Sequence, residues 1–264
     1  MTSSLPAQEE TMHWTEHAGE SACSMAWVGL MATGAAAAAA TMLGHRGAVA
    51  AVTAVLCLGV TIALAPAVRT MCERIPDAHG GPIPCDPRRL APAAAVLAAL
   101  GEAAVAWRWA ESPLLLAAMT AFVIGGAWTV AIDMATERIP TALTWTYSTA
   151  VVGFLVAAAA SGQLRWTQLA VAAVCAAVWS GLLLGLAIAT RGWPGLGDVR
   201  LALPMGAITG AISVSCAFYA AAGSQLLGLA AALVLLAHRR GALRSTMPMG
   251  PPMVTAAVLT LALV

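Results

Sequence analysis

Long apolar runs, separated by short clusters of Arg, Pro and Gly, recur along nearly the whole chain. They fall at 24–43, 47–66, 91–107, 113–133, 144–160, 167–189, 199–221, 224–237 and 249–264. None shows the polar–apolar alternation of a barrel strand. Continuous apolar stretches of this length read as helices in hydrocarbon, where a helix satisfies its own backbone groups. The pattern predicts an all-α fold, a polytopic transmembrane helical bundle with eight core spans and an extra N-terminal span. The predicted organisation is a polar tail over 1–23, the additional span over 24–46, and a membrane domain over 47–264 with a loop at 67–90.

Composition sharpens this reading. Of the 264 residues, 60% are hydrophobic and 9% charged, with a mean hydropathy of +0.83. Soluble domains carry about 25% charged residues, and a chain this apolar cannot hide its surface in a soluble core. Disordered tails and nucleic-acid-binding domains need charge that is missing here. All thirteen basic residues are Arg. Ten of them (Arg69, Arg74, Arg88, Arg89, Arg138, Arg191, Arg200, Arg239, Arg240 and Arg244) sit in one set of alternate loops, and Arg46, Arg108 and Arg165 in the other. The positive-inside rule puts the first set in the cytoplasm. The longer loops, 67–90, 134–143, 190–198 and 238–248, then share that face.

With so few charges, the acids within or beside spans are informative. Asp133 ends the run FVIGGAWTVAID, and Asp198 sits in RGWPGLGDVRLALPMG ahead of the next span. The alternating topology brings both to the same cytoplasmic depth. Acids at this depth face a bundle interior or a water-filled cavity, and two carboxylates together can divide the roles of base and acid in hydrolysis. Gly195 and Gly197 allow close backbone approach beside Asp198. Gly125 and Gly126 read as residues that let another helix approach the Asp133 helix. Glu102, inside a span, faces either a polar interior or snorkels toward Arg108. The five His are scattered, so no metal site is expected.

These residues resemble the type IV prepilin peptidases, membrane aspartyl proteases with a GxGD signature. The matching segments are IDMATERIPTALTW from Ile132 to Trp145, GLGDVRL from Gly195 to Leu201, MPMGPPM from Met247 to Met253, and CERIP from Cys72 to Pro76. The resemblance covers roughly 47–264. It implies an enzyme of the inner (plasma) membrane that cuts the short basic leader of prepilin or pseudopilin precursors after a Gly, at the cytoplasmic face. Asp133 and Asp198 would be the catalytic pair, with Gly195, Gly197, Glu137, Arg138, Pro140 and Arg200 shaping the site or meeting substrate. No cofactor is implied. Glu137, Glu73, Asp77 and Asp86 are the acids available to a basic leader. The chain departs from bifunctional members of the family, whose large loop holds two CxxC pairs: the loop here has only Cys72 and Cys85. N-methyltransferase activity is therefore expected to be absent. A proton-coupled transporter, or a scaffold retaining the fold, are the alternative functions.

Overall fold

Each break in the apolar pattern carries chemistry that starts or stops a helix. Asp86 caps the helix after it by accepting from the Arg88 N–H at 3.1 Å, with Pro87 at the first helical position. Pro113 likewise takes the first position of the next helix, after Ser112, which makes no side-chain cap bond. The structure, a computed structural model, describes residues 44–74, 86–191, 194–238 and 248–264. Among these the secondary structure is helical: α1 (Gly44–Ala63), α2 (Ala65–Arg74), α3 (Pro87–Trp109), α4 (Pro113–Thr136), α5 (Thr141–Ala160), α6 (Trp166–Ala189), α7 (Leu196–Ile212), α8 (Val214–His238) and α9 (Gly250–Leu263).

Six of these, α1, α3, α4, α5, α6 and α8, are long and apolar enough to cross a membrane. The described residues form helices only, and the protein is a multi-pass membrane protein. The helices α7 and α9, at 17 and 14 residues, are shorter; at 1.5 Å per residue they rise only about 26 and 21 Å. The tail 1–23 and nearly all of the added span 24–46 lie outside the described residues, and Gly44–Arg46 belong to α1.

Several boundaries differ from the sequence expectation. The loop expected at 67–90 is helical as far as Arg74 and again from Pro87. Hydrogen bonding carries across the α1–α2 junction, from Leu64 N–H to Val60 O and from Val68 N–H to Leu64 O. Pro66, in the first turn of α2, starts a helix there rather than stopping one. The loop expected at 134–143 shrinks to the four residues between Thr136 and Thr141. The spans expected at 199–221 and 224–237 divide instead at Ser213, whose backbone is extended and whose Oγ accepts from the Cys216 N–H at 3.0 Å. That bond caps α8. Gly223, in the gap expected between the spans 199–221 and 224–237, lies inside α8 opposite Ala256.

The core is organised around α4. In its most apolar window 78% of residues are buried, against 17% in α6 and 22% in α1 and α8. The helices α3, α5, α7 and α9 all pack against it. Gly125 and Gly126 do what their sequence position suggested: the Tyr147 ring of α5 lies over Gly125, and Val254 of α9 over Gly126. Between α6 and α7 the close contact reaches the partner helix's backbone. A Cβ on Gly206 would come within 2.7 Å of the Ala176 Cα, and one on Gly210 within 2.7 Å of the Cys175 Cβ. Small residues four apart let two backbones meet in this way.

Glu102 faces the polar interior. It is fully buried, and the Thr120 hydroxyl of α4 donates to its Oε1 at 2.8 Å. Cys57 and Thr53 of α1 are its other polar neighbours, and Oε2 has no hydrogen bond of good geometry. Arg108 turns away to donate to the Val264 carbonyl at 2.8 Å.

The loops sort into two ends. At one, Arg46 pairs with Glu111 at 2.6 Å, the Trp109 indole N–H donates to Leu261 O, and the Leu114 N–H donates to Gln163 Oε1. At the other lie the C-terminus of α4 and the N-termini of α5, α7 and α9, tied together by the contacts described next.

Candidate active site

Asp133 lies on the last full turn of α4 and is only 3% exposed. Its helix stops four residues later because Glu137 takes the left-handed conformation, with φ 54° and ψ 31°, and its N–H closes on the Asp133 carbonyl at 2.8 Å. A glycine or asparagine usually holds that position. The chain then runs through Arg138, Ile139 and Pro140. The Pro140 carbonyl accepts from both the N–H and the hydroxyl of Thr144, at 3.1 and 3.0 Å, starting α5. Four residues thus turn the chain from α4 into α5 directly beside Asp133.

Asp198 is at the third position of α7. Its Oδ2 accepts from the Gly195 N–H at 3.1 Å, and its own N–H donates back to Gly195 O at 3.0 Å. This reciprocal pair closes the GLGD turn and fixes the carboxylate over the helix N-terminus. Gly197 has a different task. A Cβ there would lie 3.0 Å from the Ile139 Cβ, so the glycine lets the Asp198 turn seat against the α4–α5 connection. Arg200 strengthens the same junction by donating to the Thr141 hydroxyl at 2.6 Å. On the far side, the Ser180 hydroxyl of α6 donates to Val199 O at 2.9 Å.

The two aspartates, 65 positions apart in sequence, come within electrostatic reach of each other. Glu137 is within reach of Asp133 as well. Asp133 is buried and Asp198 half-buried. Each carboxylate has one oxygen held by a backbone N–H, and among the described residues no other protein hydrogen bond reaches either. That leaves each aspartate an oxygen able to bond to a water or a peptide. Such a pair can activate water against a carbonyl and protonate a leaving amine.

Of the sequence candidates, Gly195, Gly197, Pro140 and Arg200 all join this cluster through the contacts above. Arg138 is half-buried within the α4–α5 connection, and Glu137 is exposed at its start. Two of the acids considered for a basic leader are engaged locally. Glu73 accepts from Arg69 at 2.7 Å, and Asp86 both caps α3 and pairs with Arg89 at 3.3 Å. Asp77 and Cys85 lie outside the described residues, and Cys72 is buried on α2. No group of three His, Cys, Asp or Glu is placed to hold a metal ion among the described residues.

Gly250 is the site residue that was missed. Its N–H donates to the Asp133 Oδ2 at 2.8 Å. In sequence it stood only within the MPMGPPM match, and nothing in spacing alone shows that α9 begins against the end of α4, 117 positions earlier. Comparison of the chain with family models, with curated proteins and with solved structures finds no match.

Proposed function

We propose that this chain is a membrane aspartyl endopeptidase of the prepilin-peptidase kind. It cleaves the basic leader of prepilin or pseudopilin precursors after a Gly, at the cytoplasmic face of the plasma membrane. The observation carrying the reading is the approach of Asp133 and Asp198 at one end of the bundle, from two helix ends and with an oxygen of each left available. In the reaction, water attacks the scissile carbonyl carbon while one carboxylate takes its proton. The other carboxyl gives a proton to the departing amine as the C–N bond breaks. The exposed Glu137 beside the pair offers a negative charge to the leader.

The same reading takes the bundle as eight core spans plus an N-terminal one, with α7 and α9 as short spans. It places the aspartate end in the cytoplasm, following the ten-to-three division of Arg. It carries no methyltransferase activity, since two loop cysteines cannot make a four-Cys metal knot. Against a proton-coupled carrier stands the location of both acids at one end, since carriers bind near the midplane.

Co-expression with prepilin-like precursors tests this directly. Wild type shortens a precursor by its leader. D133N and D198N insert normally and abolish the size shift, a loss of at least about 10³-fold in rate. Unchanged processing by either variant overturns the reading, as does a wild type that processes no precursor.

A further inference from the structure

The first turn of α9 is unusually poor in hydrogen-bond donors. A helix start leaves its first backbone N–H groups without partners inside the helix. Here the first helical residue is Gly250, and the next two, Pro251 and Pro252, have no N–H. The fourth, Met253, donates to Met249 O at 3.3 Å. A single backbone donor is left over at this helix end, and it goes to the Asp133 Oδ2.

The packing around that donor is close on several sides. Gly228 of α8 lies against Met249 and Pro252, and Gly126 of α4 lies against Val254. A Cβ added to Gly250 would come within 2.8 Å of the Asp133 Oδ2 and 3.4 Å of its Cβ and Cγ. The backbone at 250 therefore sits as near to the carboxylate as a residue without a side chain allows.

We infer that Gly250 is a positioning residue: its N–H pins Oδ2 of Asp133, so that Oδ1 is the oxygen presented to the water shared with Asp198. The inference rests on the proposed peptidase reading for its kinetic consequence, but not for the pinning itself. Gly250 does not touch substrate in this scheme and acts only through Asp133. Two properties of glycine are needed, an N–H and the absence of a Cβ, and Pro251 and Pro252 leave no N–H on the two residues that follow to compete.

Gly250→Ala tests it, with Gly101→Ala as the packing control. A Cβ at Gly101 would press on Val123 of α4 at 3.2 Å and on Val258 of α9 at 3.5 Å. It strains the same two helices about 15 Å along α4 from Asp133. In G250A, kcat for leader cleavage is expected to fall on the order of 10²-fold, with KM within about twofold. G101A, per folded molecule, keeps its kcat. A second readout needs no turnover: labelling of Asp133 by an apolar carbodiimide, followed by peptide mass spectrometry. G250A should label severalfold faster than wild type, and G101A at the wild-type rate. Equal labelling in G250A and wild type overturns the pinning. Equal kcat losses in G250A and G101A overturn the positioning role and leave only packing. If the wild type cleaves no precursor, the peptidase reading falls and labelling alone decides the pinning.

Discussion

At the scale of single residues, the site depends on backbone positions more than on side chains. Gly195 supplies an N–H to Asp198, Gly250 supplies one to Asp133, and Gly197 supplies the absence of a Cβ against Ile139. Glu137 is the exception, a residue with a side chain in a conformation that glycine prefers. The left-handed backbone costs a non-glycine residue about 1–2 kcal/mol, and glycine gives back about 0.4–1 kcal/mol through unfolded-chain entropy. On these backbone terms E137G should gain a net of about 0–1.5 kcal/mol, less whatever the Glu137 side chain's own interaction contributes, read as the unfolding temperature in detergent. Its KM for a basic leader should rise at the same time, because the charge beside Asp133 is gone. A variant that is less stable than wild type would show that the Glu137 side chain holds the connection together. Backbone strain at a site edge is retained where the side chain has a use, and both halves of this prediction test that.

At the scale of elements, most helix starts could be read from Pro and Gly, and the errors have a common origin. The expected span 47–66 ends at Pro66 and the expected gap after 221 contains Gly223, although a proline also opens a first turn and a glycine also permits a close helix contact. Ser213 was passed over because a lone serine in an apolar run resembles a buried polar residue; its capping bond exists only once the chain has turned there. S213A should cost about 1 kcal/mol and fray the start of α8, seen as faster amide exchange over Val214–Ala217. The α6–α7 contact is more demanding. At Gly206 the atoms in the way belong to the Cys175–Ala176 backbone, which cannot rotate aside as a side chain can. G206A should lose about 1–3 kcal/mol and separate α6 from the helix that carries Asp198. Stability loss without a fall in cleavage per folded molecule would show that the Asp198 turn keeps its place without the close α6 contact, through Arg200, Gly197 and the other helices packed on α7.

At the scale of the whole molecule, one end of the bundle gathers the chemistry and the interior holds a second, separate acid. Glu102 meets α4 at Thr120, thirteen residues from Asp133, or about 20 Å along the helix. It joins α1, α3 and α4 through Thr53, Cys57 and Thr120, and none of these is a residue of the aspartate cluster. E102Q keeps the partner for Thr120 and should stay within about 1 kcal/mol of wild type. E102A removes a fully buried side chain and should lose about 2–4 kcal/mol, with cleavage per folded molecule unchanged in both. Loss of cleavage in a stably folded E102Q would instead tie the interior acid to the reaction and favour proton coupling.

The membrane class and the α-helical fold were legible in the sequence because they follow from local quantities. Apolar length, scarce charge and helix-start residues need no knowledge of the partner helix. The two aspartates were legible for a related reason, since each carries its signal in its own segment: an acid at the end of a span, and an acid after a Gly-x-Gly turn. Their approach to one another was only an expectation from alternating topology. Tertiary structure decided the rest. Which oxygen of Asp133 is held, that Gly250 holds it, that Gly197 rests on Ile139 and that Glu102 turns inward all depend on contacts between segments from about 20 to more than 100 residues apart. The sequence of one segment cannot encode the position of another, because packing energy belongs to the pair and exists only after both have folded together.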